Sequence, residues 1–345
     1  MRVLVAMSGG VDSSVAAALL QRAGHDVVGA TMKLWGGESD SGCCSVADVD
    51  DARRVAQQLG IAHHVFNFTE DFDHHVVEPY VADHAAGRTP NPCVSCNRHL
   101  KFDRFLRRAG QLGFDAIATG HHARVVESDG RWHLVRGADR AKDQSYVLYM
   151  LTQAELARTL LPVGELTKPE VRALATELGL RTAGKPDSQD VCFITRSGGR
   201  QAFLGDRIPL HPARLVDLVT GEEMGKVPAV ELVTVGQRRG IGDPQAGGER
   251  RYAVHVDVAG ATVTVGSLGD LMDDRLALTD MSWVDLPAAA GTDVAVQMSA
   301  HGRPVEAVFA GAGEVRLNEA VRRVAPGQSV VLYDGDAVIG GGIAA

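Results

Sequence analysis

The chain has 345 residues, of which 45% are hydrophobic and 23% charged, so it is long enough for more than one domain and is typical of globular proteins. Its formal net charge of −8 means that a nucleic-acid partner would have to bind local basic patches. The 5 cysteines are unevenly spaced, which favours reduced thiols over a disulfide framework. No run approaches the roughly 18 apolar residues of a membrane span, and the N-terminal residues do not resemble a signal peptide, so we expect a cytoplasmic protein with no membrane partner.

The first half of the chain alternates short apolar strands with helical patterns. Strands are predicted near residues 3–5, 27–30, 63–66 and 116–118, and helices near 12–22, 45–59 and 97–112. The sequence Thr167-Lys168-Pro169-Glu170 has the pattern of a capping box, and it predicts a helix that stops before Gly179. This order predicts an α/β domain over residues 1–200, with a doubly wound parallel sheet covered by helices.

Beyond residue 200 the hydrophobic pattern changes to a period of two. Tyr252, Val254, Val256 and Val258 alternate with smaller or polar residues, and further runs turn at Gly221, Gly311 and Gly335. We therefore expect two small mainly-β domains, at residues 201–269 and 270–345, the last of them a β-barrel.

A glycine- and serine-rich loop follows the first predicted strand. Its sequence is Ser8-Gly9-Gly10-Val11-Asp12-Ser13-Ser14, and it opens the first predicted helix. Glycines let the backbone approach an anion, and the unpaired amides of a helix N-terminus point toward it. The loop has neither the lysine of a Walker loop nor the G-x-G-x-x-G pattern of dinucleotide sites. It predicts a nucleotide phosphate site of another type.

Two thiols are predicted to lie at the start of a helix, where the dipole favours thiolate. Cys93 and Cys96 follow Thr89-Pro90-Asn91-Pro92, and Cys192 comes much later in Val191-Cys192-Phe193. Half a zinc site completed by His99 or Cys192 is one interpretation, and Cys192 as a small buried apolar side chain is another. Cys43 and Cys44 are predicted to be structural.

The sequence around these residues resembles that of the bacterial tRNA-specific 2-thiouridylases, which belong to the N-type (PP-loop) ATP pyrophosphatases. The matching segments run from one end of the chain to the other: 8–14, 87–92, 96–97, 101–102, 118–121, 142–146, 162–164, 192–194, 236–240 and 326–329. The resemblance implies that an ATP pyrophosphatase domain comes first in the chain.

The resemblance also implies site residues. Those implied to hold ATP are Ala6, Met7, Ser8, Gly9, Gly10, Val11, Asp12, Ser13, Met32 and Gly120. Cys96 and Cys192 are implied to be the catalytic thiols. Residues implied to touch tRNA are His121, Lys142, Asp143, Gln144 and Gln328, with Asn91, Pro92 and Cys93 near the target base.

The reaction implied is ATP-dependent 2-thiolation of the wobble uridine, with Mg²⁺ beside the leaving pyrophosphate. The C2 carbonyl oxygen would be adenylated, and a persulfide supplied by a cysteine desulfurase or a sulfur-relay protein would displace AMP. Two other classes stay open at this stage: a small-molecule ATP-pyrophosphatase ligase of the same fold, and a tRNA-binding module without activity.

Two positions depart from the family pattern. Many members have Asp where this chain has Cys93, and many have Arg-Tyr where it has Ser299-Ala300. Three interpretations of Cys93, Cys96 and Cys192 stay open. The three thiols hold a 4Fe-4S cluster, they hold a zinc ion, or Cys96 and Cys192 alone run a cycle of persulfide and disulfide.

Overall fold

The computed structural model describes residues 1–35, 46–187, 191–195, 198–241 and 250–345. Cys43 and Cys44, which are predicted to be structural, lie outside these ranges. None of the helices in the described ranges has the length and apolar character needed to cross a bilayer.

The N-terminal region is built on a parallel sheet with the strand order β3-β2-β1-β4-β7. Neighbouring strands run parallel, with Val3 of β1 opposite Val27 of β2 and Ala116 of β4. The strands are β1 (Arg2–Ala6), β2 (Asp26–Lys33), β3 (His63–Asn67), β4 (Ala116–Ala118) and β7 (Thr159–Leu160). The four strands predicted here are therefore confirmed.

Helices connect these strands. The helices are α1 (Val11–Arg22), α2 (Val46–Leu59), α3 (Thr69–Phe72), α4 (Glu78–Ala85), α5 (Pro92–Ser95), α6 (Leu106–Gln111), α7 (Gln153–Leu156), α8 (Lys168–Glu177) and α9 (Gly199–Gly205). Wider turns of π-helix cover Asp73–Val77 and Cys96–Phe105, and 3₁₀ turns cover Ser145–Leu148, Val230–Leu232 and Gly269–Leu271.

The helix predicted at 97–112 begins earlier. It runs continuously from Pro92 to Gln111 because Asn91 caps it: the Asn91 side chain accepts a hydrogen bond from the backbone N–H of Cys93 at 3.1 Å. Proline at the first helical position is also favourable, since its missing N–H would have no helical partner there. Cys93 and Cys96 therefore lie in the first turns of this helix, at its start as predicted.

Both faces of the parallel sheet are buried. Leu4 and Ala6 pack into one apolar cluster, and Val3, Val5 and Met7 into the other. The two clusters follow from the alternation of side chains along a strand. The doubly wound arrangement predicted from the sequence is confirmed.

A smaller sheet follows, with the order β10-β11-β8-β9. Its strands are β8 (Ala213–Asp217), β9 (Glu223–Val227), β10 (Tyr252–Asp257) and β11 (Thr262–Gly266). The hairpin predicted from the alternation at 252–258 is present as the antiparallel pair of β10 and β11.

The C-terminal region is a closed barrel with the order β12-β15-β14-β13-β16-β17, completed by pairing of β12 with β17. Its strands are β12 (Met272–Trp283), β13 (Thr292–Gln297), β14 (Val305–Gly311), β15 (Glu314–Arg322), β16 (Ser329–Asp334) and β17 (Ala337–Ala344). The predicted barrel is confirmed.

One hairpin of the N-terminal region extends the barrel. It consists of β5 (Ala123–Ser128) and β6 (Arg131–Arg136), and β6 pairs with β17 through Leu134 and Val338. The regions predicted as separate domains thus share one sheet, while the boundaries at 200 and 269 stay predictions.

Candidate active site

The candidate site lies where the order of strand addition in the parallel sheet reverses. The chain leaves β1 toward β2 and β3 on one side and returns to β4 on the other. The loops after β1 and β4 therefore diverge at the carboxyl edge of the sheet, where doubly wound folds bind their ligands. These loops contain Ser8-Gly9-Gly10 and Thr119-Gly120-His121.

The phosphate loop is shaped by its serines and glycines. Ser13 Oγ accepts a hydrogen bond from the Ser8 N–H at 3.2 Å, and Ser14 Oγ donates to the Gly10 carbonyl at 2.8 Å. Gly10 is the N-cap of α1 and has no side chain to occupy the helix N-terminus. No side chain caps the first amides of α1, and a helix N-terminus of this kind suits an anion.

Two glycines permit close backbone approach. Gly9 has φ +74°, and a Cβ there would lie 2.2 Å from the Asp48 carbonyl oxygen. A Cβ on Gly120 would lie 2.6 Å from the Ser13 nitrogen. The loop after β4 is thus packed directly against the N-terminus of α1, and both predicted glycines are explained by geometry.

Asp12, in the first turn of α1, is held by two basic side chains. Lys168 Nζ lies 2.8 and 2.7 Å from its two carboxylate oxygens, and His122 Nε2 lies 3.2 Å from Oδ1. Burial alone would raise the pKa of Asp12, but the hydrogen bonds from His122 and Lys168 and the lysine charge outweigh burial and lower it. Asp12 is therefore ionised at neutral pH. A carboxylate beside a phosphate loop fits the preference of Mg²⁺ for oxygen ligands.

A second lysine binds the loop backbone. Lys185 Nζ donates to the Gly9 carbonyl at 2.9 Å, to Asp48 Oδ1 at 2.5 Å and to Asp51 Oδ2 at 2.8 Å. Burial would lower the pKa of Lys185, but its hydrogen bonds to the two carboxylates raise it. The outer side of the phosphate loop is thus fixed to α2.

Asp187 is surrounded by three cations. It pairs with Lys142 at 2.8 Å, Arg172 at 2.8 Å and Lys168 at 2.9 Å. Burial opposes ionisation, yet the hydrogen bonds from Lys142 and Lys168 hold the pKa of Asp187 well below its usual range. The carboxylate remains charged and connects the end of the described 182–187 segment to α8.

Lys168, Lys185, Asp187 and His122 were missed by the sequence analysis. One signal was available for Lys168: it occupies the first turn of a helix, where the dipole disfavours a cation. A lysine at that position indicates a nearby anionic partner. The other three residues have no comparable local signal.

The predicted catalytic thiols lie on the opposite face of the sheet. Cys96 is 9% exposed and belongs to the apolar cluster that contains Leu4 and Ala6, and Cys192 packs against the same cluster. Cys93 is half-buried near the start of α5. The structure thus brings Cys96 and Cys192 to one cluster although they are far apart in sequence.

Aromatic rings surround the residue after Cys192. Phe193 is 2% exposed, and its ring centroid lies 5.1 Å from that of Phe203, 5.4 Å from Tyr80 and 5.6 Å from Phe72. Such pairs favour tilted and edge-to-face geometries of the kind seen here. Phe193 therefore anchors the Cys192 segment by apolar packing.

Cys93, Cys96 and Cys192 are the predicted ligands of an iron–sulfur cluster. Within the described ranges, no group of three His, Cys, Asp or Glu side chains is placed to hold a metal ion. Cys96 is packed into an apolar core, whereas Cys93 is only partly buried. The cluster and the zinc ion at these cysteines stay predictions.

His121 and Gln144, two of the residues predicted to touch tRNA, make contacts within the loop after β4. His121 is 8% exposed, and its Nδ1 lies 2.6 Å from Thr119 Oγ1. Burial, with the charge of Lys101, lowers the pKa of His121 well below 6.5, so its ring is neutral. Gln144 Oε1 accepts from the His122 N–H at 2.9 Å.

The remaining tRNA candidates also have partners inside the protein. The Asp143 side chain is 6% exposed and accepts from Arg136 Nη1 at 2.9 Å, while the Lys142 side chain is 45% exposed and paired to Asp187. Gln328 Nε2 donates to the Thr89 carbonyl at 2.6 Å, which links the barrel to the loop before α5. Contacts of these residues with tRNA stay predictions.

Two family models match the chain. The model described as "tRNA methyl transferase HUP domain" matches residues 1–196, and the model described as "Aminomethyltransferase beta-barrel domain" matches residues 273–344. A relative from Chloroflexus aggregans, named tRNA-specific 2-thiouridylase MnmA, is 48% identical over 99% of this chain and 97% of its own length. The chain belongs to the tRNA-specific 2-thiouridylase family. Another family member, from Carboxydothermus hydrogenoformans, is 44% identical over 99% of this chain and 96% of its own.

Similarity to solved structures is weaker. The chain resembles a U34-tRNA thiolase from Methanococcus maripaludis, solved with its [4Fe-4S] cluster, at a TM-score of 0.37 and 17% identity over 55% of this chain and 59% of that chain. A likeness of this size does not extend to ligands. Family membership, as predicted from the motifs, is confirmed by the relatives and not by this neighbour.

Proposed function

We propose that the protein uses ATP to replace the C2 oxygen of the wobble uridine of tRNA with sulfur, releasing AMP and pyrophosphate. Its relatives are named for 2-thiolation of tRNA, and the matching model covers the region that holds the phosphate loop. The relatives' names favour sulfur transfer over the methyl transfer named in that model's description.

One observation carries the proposal. Two residues that precede Cys192 in the chain are held at the phosphate loop: Lys185 binds the Gly9 carbonyl at 2.9 Å, and Asp187 pairs with Lys168, which also pairs with Asp12. These contacts support a nucleotide site close in sequence to a thiol. A small-molecule ligase of this fold needs the phosphate loop but has no need of that thiol.

The first chemical step activates a poor electrophile. The C2 carbonyl oxygen of uridine attacks the α-phosphorus of ATP, the bond to the β-phosphate oxygen breaks, and pyrophosphate leaves. The amides at the N-terminus of α1 stabilise the negative charge of the phosphates. Magnesium bound by Asp12 would neutralise further phosphate charge.

The second step uses the thiols. The terminal sulfur of a Cys192 persulfide attacks C2, and the C2–O bond breaks as AMP leaves. The Cys96 thiolate then attacks the Cys192 sulfur, which releases the thiocarbonyl base and forms a Cys96–Cys192 disulfide. A cellular thiol reductant returns both residues to thiols before the next persulfide is loaded.

The proposal includes partners and a compartment. The persulfide sulfur comes from a cysteine desulfurase or a sulfur-relay protein, and the cytoplasm supplies both tRNA and reductant. A groove of about 660 Å³ between residues 136–143 and the barrel offers Arg136, Arg140 and Arg303 beside the acidic Asp293 and Asp336. Arg140 and Arg303 are exposed and are candidates for contact with RNA phosphates, whereas Arg136 is nearly buried against Asp143.

The test is product analysis with the purified protein, ATP and two transcripts that differ only at the wobble position. With wobble uridine we expect AMP and pyrophosphate to form faster than without RNA, and with wobble cytidine we expect no acceleration. ADP as the main product would contradict adenylation. AMP formation at the same rate with either transcript and without RNA would favour a small-molecule ligase.

A further inference from the structure

Thr89, in the loop before α5, is held by residues from all three regions of the chain. Its backbone N–H donates to the Pro326 carbonyl, in the barrel, at 2.7 Å. Its own carbonyl accepts from Gln328 Nε2, also in the barrel, at 2.6 Å. Its hydroxyl donates at 3.2 Å to Oγ1 of Thr234, which lies in the region of the smaller sheet. Both backbone hydrogen-bonding groups of Thr89 are therefore satisfied by the barrel.

The barrel side of this contact is itself fixed. Pro326, Gly327 and Gln328 form the turn before β16, and this turn is bound to the end of β17. The Gly327 N–H donates to the Ala344 carbonyl at 2.9 Å, and the Ala344 N–H donates to the Gln328 carbonyl at 2.8 Å. A Cβ on Gly327 would lie 3.1 Å from the Thr89 nitrogen, so the two backbones are in close contact. The barrel thus sets the position of Thr89.

The contact lies next to the helix that carries two of the thiols. Only Pro90 separates Thr89 from Asn91, whose side chain caps that helix at the Cys93 N–H. Pro90 has a fixed φ and restricts the conformation of Thr89 before it, so the connection is short and stiff. A displacement of Thr89 therefore moves the cap and the first turns of the helix, where Cys93 and Cys96 lie.

We propose that Gln328 is a positioning residue that acts through Thr89 and fixes, from the barrel, the start of the helix that carries Cys93 and Cys96. This inference rests on the proposed function, because the placement of these thiols matters in its sulfur-transfer step. Without the Gln328 amide, the Thr89 carbonyl loses its donor from the barrel. A Gln328 that only contacts tRNA would give different results in both measurements below.

The first measurement is amide hydrogen exchange in the protein without tRNA or ATP, followed in the peptide that contains Thr89 and Cys93. Gln328→Met keeps the length of the side chain but has no donor, so we expect exchange there to be about threefold faster or more. Gln328→Lys keeps a donor that can reach the carbonyl and should restore most of the protection. Gln21→Met is the matched control, since it removes a bond of the same kind, from Gln21 Nε2 to the Leu59 carbonyl at 2.8 Å, and should leave this peptide unchanged.

The second measurement is the number of 2-thiouridines formed per AMP released, in a single turnover with saturating tRNA. We expect Gln328→Met to lower this ratio about threefold or more, because a displaced Cys96 attacks the Cys192 sulfur more slowly. The Kd for tRNA, measured by filter binding, should be unchanged, and Gln21→Met should have the wild-type ratio. A contact with tRNA alone would instead weaken binding and leave the ratio unchanged.

The outcomes separate this inference from the proposed function. Exchange as slow in Gln328→Met as in the wild type overturns the inference, because Thr89 would then be held without Gln328. Faster exchange with a wild-type ratio also overturns it, and a weaker Kd with a wild-type ratio assigns Gln328 to tRNA binding instead. A wild type that forms no AMP with tRNA contradicts the proposed function, and the exchange measurement still decides whether Gln328 holds Thr89.

Discussion

The two faces of the parallel sheet support two different halves of the candidate site. On the face covered by α1, α2 and α8, side chains are positioned by charge, as in the contacts among Asp12, Lys168 and Asp187. On the other face, Cys96 and Phe193 are positioned by apolar and aromatic packing. The energy of an ion pair changes when a charged ligand binds nearby, whereas the energy of apolar packing changes when the volume of a side chain changes.

This division suits the proposed reaction. The phosphate half must bind and release a highly charged ligand, and ion pairs can exchange partners with it. The thiol half holds Cys96 in the apolar cluster and leaves Cys192 only half-buried beside it, so Cys192 stays more accessible to a sulfur donor. Lys168 and Asp187 both belong to the charged half.

The largest effect is expected at the thiol half. Cys192→Ser should abolish 2-thiouridine formation while tRNA-dependent AMP release remains detectable, because adenylation uses groups on the other face. Nucleoside mass spectrometry and AMP assays measure the two steps separately. Cys43→Ser and Cys44→Ser are the matched controls and should be near neutral. Thiolation that survives Cys192→Ser would show that another residue carries the sulfur.

The next effect measures packing. Phe193→Ala should lower the free energy of unfolding by about 3–5 kcal/mol, because it removes a fully buried ring. Denaturant titration gives the change. Leu286→Ala is the control. Leu286 is 70% exposed, so this substitution should change the free energy of unfolding by less than about 0.5 kcal/mol. A loss at Phe193 no larger than the control's would mean that packing does not anchor the Cys192 segment.

At the phosphate half, the close approach of the loop after β4 to the backbone of α1 is the feature most sensitive to substitution. Gly120→Ala should reduce AMP formation about ten- to a hundredfold, since its Cβ would lie 2.6 Å from the Ser13 nitrogen, a backbone atom that cannot rotate away. Gly184→Ala is the control, because a Cβ there meets open space. Steady-state AMP release with saturating tRNA checks both. Activity near wild type in Gly120→Ala would remove this loop from the nucleotide site.

The smallest effect is the pH response of stability. Burial, with the charge of Arg200, lowers the pKa of His84 to about 4, and the His84 ring lies 4.6 Å from that of Tyr80 on the thiol half. Between about pH 6.5 and 4 the unfolded chain binds a proton that the folded His84 does not, so stability falls as the pH falls. We expect His84→Gln to remove about 2 kcal/mol of this dependence between pH 7 and 5.

The same pH titration compares the stability contributions of the phosphate half and the thiol half. Asp12 and Asp187 have lowered pKa values, so the stability they contribute is present above their usual value of 3.8 and is lost only at lower pH. Their contribution should therefore be constant between pH 7 and 5. His121 is present in both proteins, so the difference between wild type and His84→Gln isolates His84. Identical pH profiles would contradict the lowered pKa.

The sequence by itself determined the parts of this protein that rest on local signals. Glycines and serines after a short apolar strand predicted the phosphate loop, and Thr167 with Glu170 predicted the start of α8. Alternating residues at 252–258 predicted a hairpin of the central sheet. Each pattern lies within about ten residues, where backbone conformation and hydrophobic period are set by near neighbours.

Only the tertiary structure decided which distant residues meet. It placed Lys168 between Asp12 and Asp187, bound Gln328 of the barrel to Thr89, and joined the hairpin β5–β6 to β17. A lysine in a sequence carries the same charge whatever its partner, and a strand edge carries the same hydrogen-bonding groups whatever strand pairs with it. Partners more than a hundred residues apart are chosen by the packing of the whole chain, because only packing sets the distance on which charge and hydrogen-bond energies depend.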